Sequence, residues 1–397
     1  MTNPETTMVF AGLDGRTKAH LPAWYARQRS SEESTTFTTA VRALPQATTT
    51  EVAYHNPYVD EWMQTDRHNA IVEPTRLAKQ AGGETNDDPL FFIPTDSYSV
   101  INPLDIFGPL EAVLRTEMID GRSLAEIMFG EVRQYRGGGE VHMDILFDGL
   151  SVTLPGRSDP ITMGVTAGYD FFGGHAVYVE GFAQDTACAN SIRRLTDRET
   201  IKHVGDVGDF ERWWQSIFTQ LGLVADDLSA FIEGASEITI QFTAVPFTLH
   251  EFYMLLGLPE YLSRRAAEDA RAAVETPTTI DMWTLHSGAT YALTHFFTGR
   301  EGAALDRYVQ AANDILFNPK VTIETVSQAY EERAAAETDG TGQTGLESQL
   351  ALAQLERVEE DIRTKATQFQ ARAETLRERL NRTHRSVSDA SASPVYR

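Results

Sequence analysis

A chain of 397 residues with a formal net charge of −23 has enough apolar residues, 42% of the total, to build a sizeable core. Its single cysteine excludes an internal disulfide and a cysteine-based zinc site. No run approaches the ~20 apolar residues that a membrane-spanning helix needs, and the sequence does not begin with a secretory leader, so we expect a cytoplasmic protein.

Lysine is nearly absent: five of the 34 basic residues are lysines and the rest are arginines. An acidic, lysine-poor surface is typical of proteins that stay soluble in molar salt, where charges are screened over ~3 Å. We therefore expect a halophilic source, the alternative being an ordinary acidic protein. In a halophile the net charge does not exclude nucleic acid as a partner, so local clusters of basic residues carry more information.

The N-terminal residues 1–50 show no sustained hydrophobic period and are predicted to form a flexible arm. A core is predicted over residues 51–320, and it opens with short strands at 90–93 and 98–101. Asn102 and Pro103 then begin a helix, as its cap and its first residue.

A β-rich segment follows in the first half of this core. The Gly137-Gly138-Gly139 run predicts a turn, and Asp148-Gly149 predicts a hairpin. Alternating polar and apolar residues predict mostly antiparallel strands at 131–136, 140–147, 150–154, 161–167 and 174–182.

The remaining sequence is predicted to be mainly helical, with one short strand at 238–242. Apolar stripes and a capping box formed by Thr248 and Glu251 indicate helices at 210–231, 248–256, 263–274, 283–297 and 305–317. Composition predicts a linker over 321–345, a helical arm or coiled coil over 346–382 and a disordered tail over 383–397. The predicted fold class is α+β: a mostly antiparallel sheet with flanking helices, plus a long C-terminal helix.

The stretch 168–207 holds the densest run of unusual residues, and we expect the rest of the core to be organised around it. A glycine-rich turn precedes a strand that starts near His175. Residues 185–192, which contain Cys188, are predicted to form a helix. A cluster of basic residues follows.

Five motifs occur in a fixed order between residues 53 and 319. They are Tyr98-Ser99-Val100-Ile101, the glycine turn and hairpin at 137–154, the segment from Asp170 to Cys188-Ala189-Asn190-Ser191-Ile192, Lys202-His203-Val204-Gly205, and the set Trp283, Ala289, Tyr291 and His295. This series resembles the phage/plasmid-like protein family, which is defined around a domain of unknown function. The resemblance implies a mobile-element or provirus origin and brings no established activity. Lys202 and the loop at 167–170 depart from the family pattern.

Cys188, His203 and Asn190 are the residue types of a nucleophile, a base and an orienting group. Because Cys188 lies between two alanines, a small buried apolar residue is the favoured alternative. The histidines are scattered, and His142 and His175 can meet only through folding, so we expect no metal and no cofactor. The glycine run lacks the Gly-Lys-Ser/Thr of a phosphate-binding loop, which argues against nucleotide hydrolysis.

Nucleic-acid surfaces combine cations with aromatic side chains. Residues of both kinds border the predicted hairpin and follow the stretch around Cys188: Arg133, Tyr135, Arg136, Arg193, Arg194, Arg198, Lys202 and His203. The alternative is a solvated helix end, where cations are also favourable.

We therefore expect a non-enzymatic, nucleic-acid-associated protein of a mobile element. The most specific version of this hypothesis is binding or annealing of single-stranded DNA. The alternative is a structural or assembly subunit of a virus or provirus that makes no nucleic-acid contact. We also expect a homo-oligomer, formed through the C-terminal helix, and no membrane partner.

Overall fold

A seven-stranded antiparallel sheet lies at the centre of the computed structural model, which describes residues 5–15, 35–119, 121–153, 160–185, 191–192, 198–203, 209–298, 303–336 and 349–367. Antiparallel sheets flanked by helices make the fold α+β, which confirms the predicted class. None of the helices in these ranges combines the length and the apolar character that crossing a membrane requires.

The described strands are β1 (Thr6–Phe10), β2 (Thr48–Asn56), β3 (Glu61–Val72), β4 (Leu90–Phe92), β5 (Met118–Ile119), β6 (Arg122–Ser123), β7 (Ile127–Tyr135), β8 (Glu140–Val152), β9 (Ile161–Asp170), β10 (Val177–Asp185), β11 (Ser191–Ile192), β12 (Glu199–Ile201), β13 (Thr239–Gln241) and β14 (Thr279–Asp281). The described helices are α1 (Phe37–Arg42), α2 (Pro74–Ala81), α3 (Pro103–Thr116), α4 (Phe210–Glu237), α5 (Leu249–Leu255), α6 (Glu260–Ala272), α7 (Met282–Phe296), α8 (Ala303–Phe317) and α9 (Pro319–Ala336), with a further helix at 349–367.

The main sheet has the strand order β1-β7-β8-β9-β10-β11, and β12 also pairs with β10. The predicted strands at 131–136, 140–147, 161–167 and 174–182 are confirmed as β7, β8, β9 and β10, but the separate strand at 150–154 and the hairpin predicted at Asp148-Gly149 are wrong. β8 continues through these two residues, and a bulge against β9 between Leu146 and Ser151 takes up the extra length. The turn-forming residues therefore mark a bulge inside one strand.

The prediction of a flexible arm over 1–50 is wrong for the residues that form β1 and α1. β1 pairs with β7 along five residues, and Phe10 packs edge to face on Phe37 of α1 at 5.4 Å, with both rings fully buried. Each element is too short to show a hydrophobic period in the sequence, yet each contributes an aromatic ring to the core. This segment is part of the central sheet.

Helices α3 and α4 cover the apolar face of the sheet. Phe218 of α4 packs on Phe147 of β8 at 5.6 Å, and the buried Trp214 donates its Nε1–H to the carbonyl of Ile106 in α3 at 2.8 Å. The opposite face carries a small apolar cluster at one end and polar residues at the other. The small cluster consists of Val9, Ala11, Phe129, Leu146 and Phe182.

The prediction of a linker over 321–345 is wrong for residues 321–336, which are helical. Helix α9 occupies this range, and it buries Ile323 and Val326 in the core. The described part of the predicted helical arm also packs on the body: Leu355 and Ile362 are buried, and Arg363 pairs with Glu324 of α9 at 3.3 Å. Residues 368–397, which include the predicted tail, lie outside the described residues.

Two further predictions from the sequence are wrong. Residues 98–101 form no strand beyond one isolated bridge at Tyr98. The structure describes residues 185, 191 and 192 of the predicted helix at 185–192, and all three lie in strands. β10 extends to Asp185, and β11 pairs with it at Ser191–Ile192.

The hairpin of β2 and β3 carries exposed aromatic side chains, with Tyr58 95% and Trp62 74% accessible.

Candidate metal centre

The polar face of the main sheet gathers titratable side chains at one end of β7, β8, β9 and β10. Glu140 and His142 lie two residues apart on β8, so both project from the same face. In the ladder His142 stands opposite Gly168 of β9, which in turn stands opposite Tyr178 of β10. A Cβ at Gly168 would stand 2.7 Å from the Tyr178 ring, so glycine makes room for that ring beside His142.

His142 is almost fully buried and uses both ring nitrogens. Its Nδ1 lies 2.8 Å from the Tyr178 hydroxyl, and its Nε2 lies 3.3 Å from Glu140 Oε1. The Tyr178 contact holds the ring in place, while Nε2 faces the carboxylate. In metalloproteins an outer hydrogen bond of this kind orients a ligating imidazole.

His175 reaches the same place from the loop between β9 and β10. The buried Asp170 carboxylate shapes this loop by accepting the backbone N–H groups of Phe172 and Gly174 at 2.7 and 2.8 Å. His175 Nδ1 lies 3.0 Å from the carbonyl of Ala176, so Nδ1 carries the hydrogen and Nε2 the lone pair. This Nε2 is buried and has no hydrogen-bond partner in the described structure.

The donor atoms of Glu140, His142 and His175 all lie within 4.8 Å of one another. Ligand atoms bound to one ion at about 2.1 Å stand about 3.0–3.4 Å apart. The 3.3 Å between His142 Nε2 and Glu140 Oε1 already lies in this range, and the separations from His175, which are at most 4.8 Å, need to shorten by about 1.4 Å or less to reach its upper end. The donor set of two imidazoles and one carboxylate fits a divalent transition metal.

Glu140 is held in its ionised form by its surroundings. The hydrogen bond with His142 lowers the pKa of this carboxyl below its ordinary value, and nearby His175 and Arg136 act in the same direction. Arg136 lies in the turn after β7 with a φ of 55°, which non-glycine residues rarely adopt. From there its guanidinium stacks over the Phe172 ring at 3.3 Å and approaches Glu140 to 3.9 Å.

His203 and Tyr98 add a second pair of rings at this end of the sheet. The two rings are parallel within 7° and their centroids are 4.8 Å apart. His203 Nδ1 lies 3.2 Å from the carbonyl of Ser99. Burial lowers the pKa of His203, and burial, followed by the charge of Asp170, raises the pKa of Tyr98. Neither His203 Nε2 nor the Tyr98 hydroxyl has a hydrogen-bond partner among the residues described.

The residues predicted to contact nucleic acid fall into three groups. Arg133 lies 2.9 Å from Glu131 and 2.6 Å from Asp144, and Arg198 lies 2.6 Å from Glu180 and over the Tyr178 ring, so carboxylates compensate both charges. The half-exposed Arg136 and the exposed Lys202 border the metal donors or His203, and Tyr135 packs on His142 with ring centroids 5.7 Å apart. Arg193 and Arg194 lie outside the described residues.

The predicted nucleophile, base and orienting group are not tested as a set, because Cys188 and Asn190 also lie outside the described residues. His203 is described, and it contacts Tyr98 and Ser99.

The sequence indicates that His142 and His175 can meet only through folding, and it does not single out Glu140 as a third donor. The available signal was the alternation of Glu140 and His142 along a predicted strand, which fixes both on one face. His175 carries no comparable signal, because only the pairing of β9 with β8 and β10 brings its loop to these two residues.

In comparisons with known proteins, no family model matches the chain, and neither a curated protein nor a solved structure matches it. The resemblance to the phage/plasmid-like family therefore stays a prediction.

Proposed function

We propose that this protein binds a divalent first-row transition-metal ion through Glu140 Oε1, His142 Nε2 and His175 Nε2. The observation that carries the proposal is the buried Nε2 of His175, which has no hydrogen-bond partner in the described part of the chain and lies within 4.8 Å of the other two donors. A buried acceptor without a partner costs about 1–3 kcal/mol. Coordination to an ion removes this cost.

The chemistry of the donors defines the class of ion. Two imidazoles and one carboxylate suit Zn²⁺, Fe²⁺ and Mn²⁺, and three protein ligands leave the remaining positions of the ion open to water or to a ligand. The Tyr178 and Ala176 contacts fix the two rings so that each directs Nε2 at the ion.

Isothermal titration calorimetry tests the proposal directly. Tag-free, chelator-treated protein is titrated with Zn²⁺, Mn²⁺ and, without oxygen, Fe²⁺, and we expect one ion per chain for at least one of them. His175→Ala should weaken binding at least about 100-fold, because it removes one of three ligands. At a free ion concentration of 100 Kd, binding should raise the free energy of unfolding of the native protein by about 2.7 kcal/mol.

His55→Ala is the matched control, because His55 lies on the exposed hairpin and contacts Asp60 at 2.9 Å, away from the metal donors. It should bind the ion as the native protein does. Absence of binding by the native protein, or equal binding by His175→Ala, would overturn the proposal.

Nucleic-acid association is the second candidate, and the exposed cations Arg136 and Lys202 beside the site favour it. Fluorescence anisotropy with a labelled single-stranded oligonucleotide tests it. Binding should weaken with rising salt and weaken further in Lys202→Glu. For either candidate we propose a cytoplasmic location, as the sequence predicts.

A further inference from the structure

Two polar atoms at the same end of the sheet as the metal donors have no hydrogen-bond partner among the described residues, and they point to a ligand larger than the ion. They are His203 Nε2 and the Tyr98 hydroxyl oxygen, both buried and neither hydrogen-bonded within the described residues. Buried polar groups in native proteins are nearly always hydrogen-bonded, to protein or to a bound molecule. Because the His203 and Tyr98 rings stack at 4.8 Å, these atoms belong to one place in the fold.

The hydrogen-bonding role of His203 follows from its other nitrogen. Nδ1 donates to the carbonyl of Ser99 at 3.2 Å, so Nε2 presents a lone pair. Tyr98 keeps its proton, since burial and the negative charge of Asp170 both oppose ionisation of its hydroxyl and raise its pKa. The pair therefore fits a group that donates a hydrogen bond to His203 and accepts one from Tyr98, as a water molecule does.

Asp170 connects this pair to the metal donors. It stands opposite Glu140 in the pairing of β8 with β9, and it accepts the backbone N–H of Gly174, the residue before His175. Its charge also acts on both Tyr98 and His203. Val177 pairs with Ile201 in the ladder, and His175 and His203 each lie two residues beyond this pair, so His203 is at the same end of the sheet as the three metal donors.

The cations at the edge of the site indicate the charge of the substrate. Arg136 is half exposed and lies 3.9 Å from Glu140, and the exposed Lys202 precedes His203 in the chain. In a protein of net charge −23, two accessible cations beside a metal centre favour an anionic substrate. A phosphodiester carries one negative charge and an electrophilic phosphorus atom that hydroxide attacks.

We propose that the centre formed by Glu140, His142 and His175 hydrolyses phosphodiesters, with His203 as the base that deprotonates metal-bound water. This proposal rests on the proposed metal binding. One proton of the water passes to His203 Nε2, and the hydroxide oxygen bonds to phosphorus while the bond from phosphorus to the leaving oxygen breaks. The leaving oxygen takes a proton from His203, so the products are a phosphomonoester and an alcohol and no redox partner is needed.

The test uses the full chain loaded with each ion that calorimetry shows to bind. Two substrates are followed, bis(p-nitrophenyl) phosphate by release of nitrophenolate and a fluorescent single-stranded oligodeoxynucleotide by gel. We expect turnover above that of the free ion with at least the small diester, and cleavage of the oligonucleotide as well would identify nucleic acid as the substrate. His203→Gln should lower turnover at least about 100-fold while ion affinity stays within about threefold of the native value.

Tyr98→Phe keeps the stacked ring and removes only the hydroxyl, so it provides a second variant if His203→Gln fails to fold. It should lower turnover about tenfold with unchanged ion affinity. His55→Gln, on the exposed hairpin, should match the native protein. Ion binding without hydrolysis of either substrate overturns this inference and leaves metal binding intact, whereas hydrolysis that persists in His175→Ala overturns it by excluding the centre as the source.

Discussion

Two histidines, one at the end of the sheet and one in a helix, have the same hydrogen-bonding pattern and different surroundings. His175 at the end of the sheet and His286 in α7 each place Nδ1 on a backbone carbonyl, at 3.0 Å for Ala176 and 2.8 Å for Ala312. In each, Nε2 is buried without a hydrogen-bond partner in the ranges described. His175 has two further donors within 4.8 Å, whereas His286 packs against the Trp283 ring at 5.7 Å.

The difference shows that a lone pair without a partner does not define a site. Among the described residues, only Glu140, His142 and His175 converge closely enough to hold an ion. His286 is fully enclosed, and burial lowers its pKa to about 4 despite the opposing effect of the Ala312 carbonyl. His286 is therefore a neutral core residue, and its effect should appear in stability as a function of pH.

The largest expected effect is a loss of stability at low pH, which follows from the lowered pKa of His286. Because the folded pKa of His286 lies below the unfolded value of 6.5, its contribution to stability is complete above about pH 6.5 and is lost as the pH falls toward 4. The loss is about 3 kcal/mol, with a slope of about 1.4 kcal/mol per pH unit. Urea unfolding of metal-free protein across this window, at constant salt, measures it.

His286→Leu should flatten this slope, since the variant has no imidazole to protonate at that position. His203, whose pKa burial also lowers, remains in both proteins and cancels in the comparison. The exposed His55 supplies the control variant His55→Leu, which should keep the native slope. Equal slopes for His286→Leu and the native protein would contradict the assignment of His286 as a buried neutral histidine.

The sheet and the helices also differ in how well the sequence predicts them. Long periodic segments such as α4 and the capping box at Thr248 and Glu251 are confirmed, because local pattern and burial agree. Short or non-periodic elements are missed: β1 pairs with a strand that lies more than a hundred residues away in sequence, and no local signal reports this.

The candidate site was predictable only in part. The fold brings to one end of the sheet three features that stand out in the sequence: His203, Arg136 and the segment around His175. The sequence does not predict a metal site, because its histidines are scattered and match no local metal-binding motif. The antiparallel pairing of β8, β9 and β10 produces the convergence, and pairing register is a property of the whole sheet.

A second comparison on the polar face is between the metal donors and a neighbouring ion cluster, in which Arg133 pairs with two carboxylates. Arg133 stands opposite His142 in the ladder, yet its guanidinium is paired with Glu131 and Asp144. Arg133→Met should lower the free energy of unfolding by about 2–3 kcal/mol, because it leaves two largely buried carboxylates without this cation. Metal affinity should stay within about threefold of the native value, since no metal donor is changed.

Chemical denaturation and calorimetry on the same sample measure both quantities. The control is Arg264→Met, which removes an exposed pair with Glu260 and should change stability by no more than about 0.5 kcal/mol. A large loss of metal affinity in Arg133→Met would show that the ion cluster and the metal donors act as one unit.

The smallest change in stability is expected at Tyr178. A variant at this residue tests whether its hydroxyl positions the metal ligand His142 or contributes only to packing. Tyr178→Phe removes the hydroxyl that lies 2.8 Å from His142 Nδ1 and leaves the ring under Arg198. We expect metal affinity to fall about tenfold, because the imidazole loses the contact that orients it. The free energy of unfolding of the metal-free protein should fall by about 1 kcal/mol, the usual cost of one buried hydrogen bond.

Tyr253→Phe is the matched control for this prediction. Tyr253 is fully buried in α5 and donates its hydroxyl to the carbonyl of Leu285 at 2.8 Å, so the variant loses a bond of the same length from the helical layer. Both variants should lose similar stability, but only Tyr178→Phe should lose metal affinity. If both leave metal affinity unchanged, the Tyr178 hydroxyl contributes to packing alone, and the orientation of His142 must depend on the ladder and on Glu140.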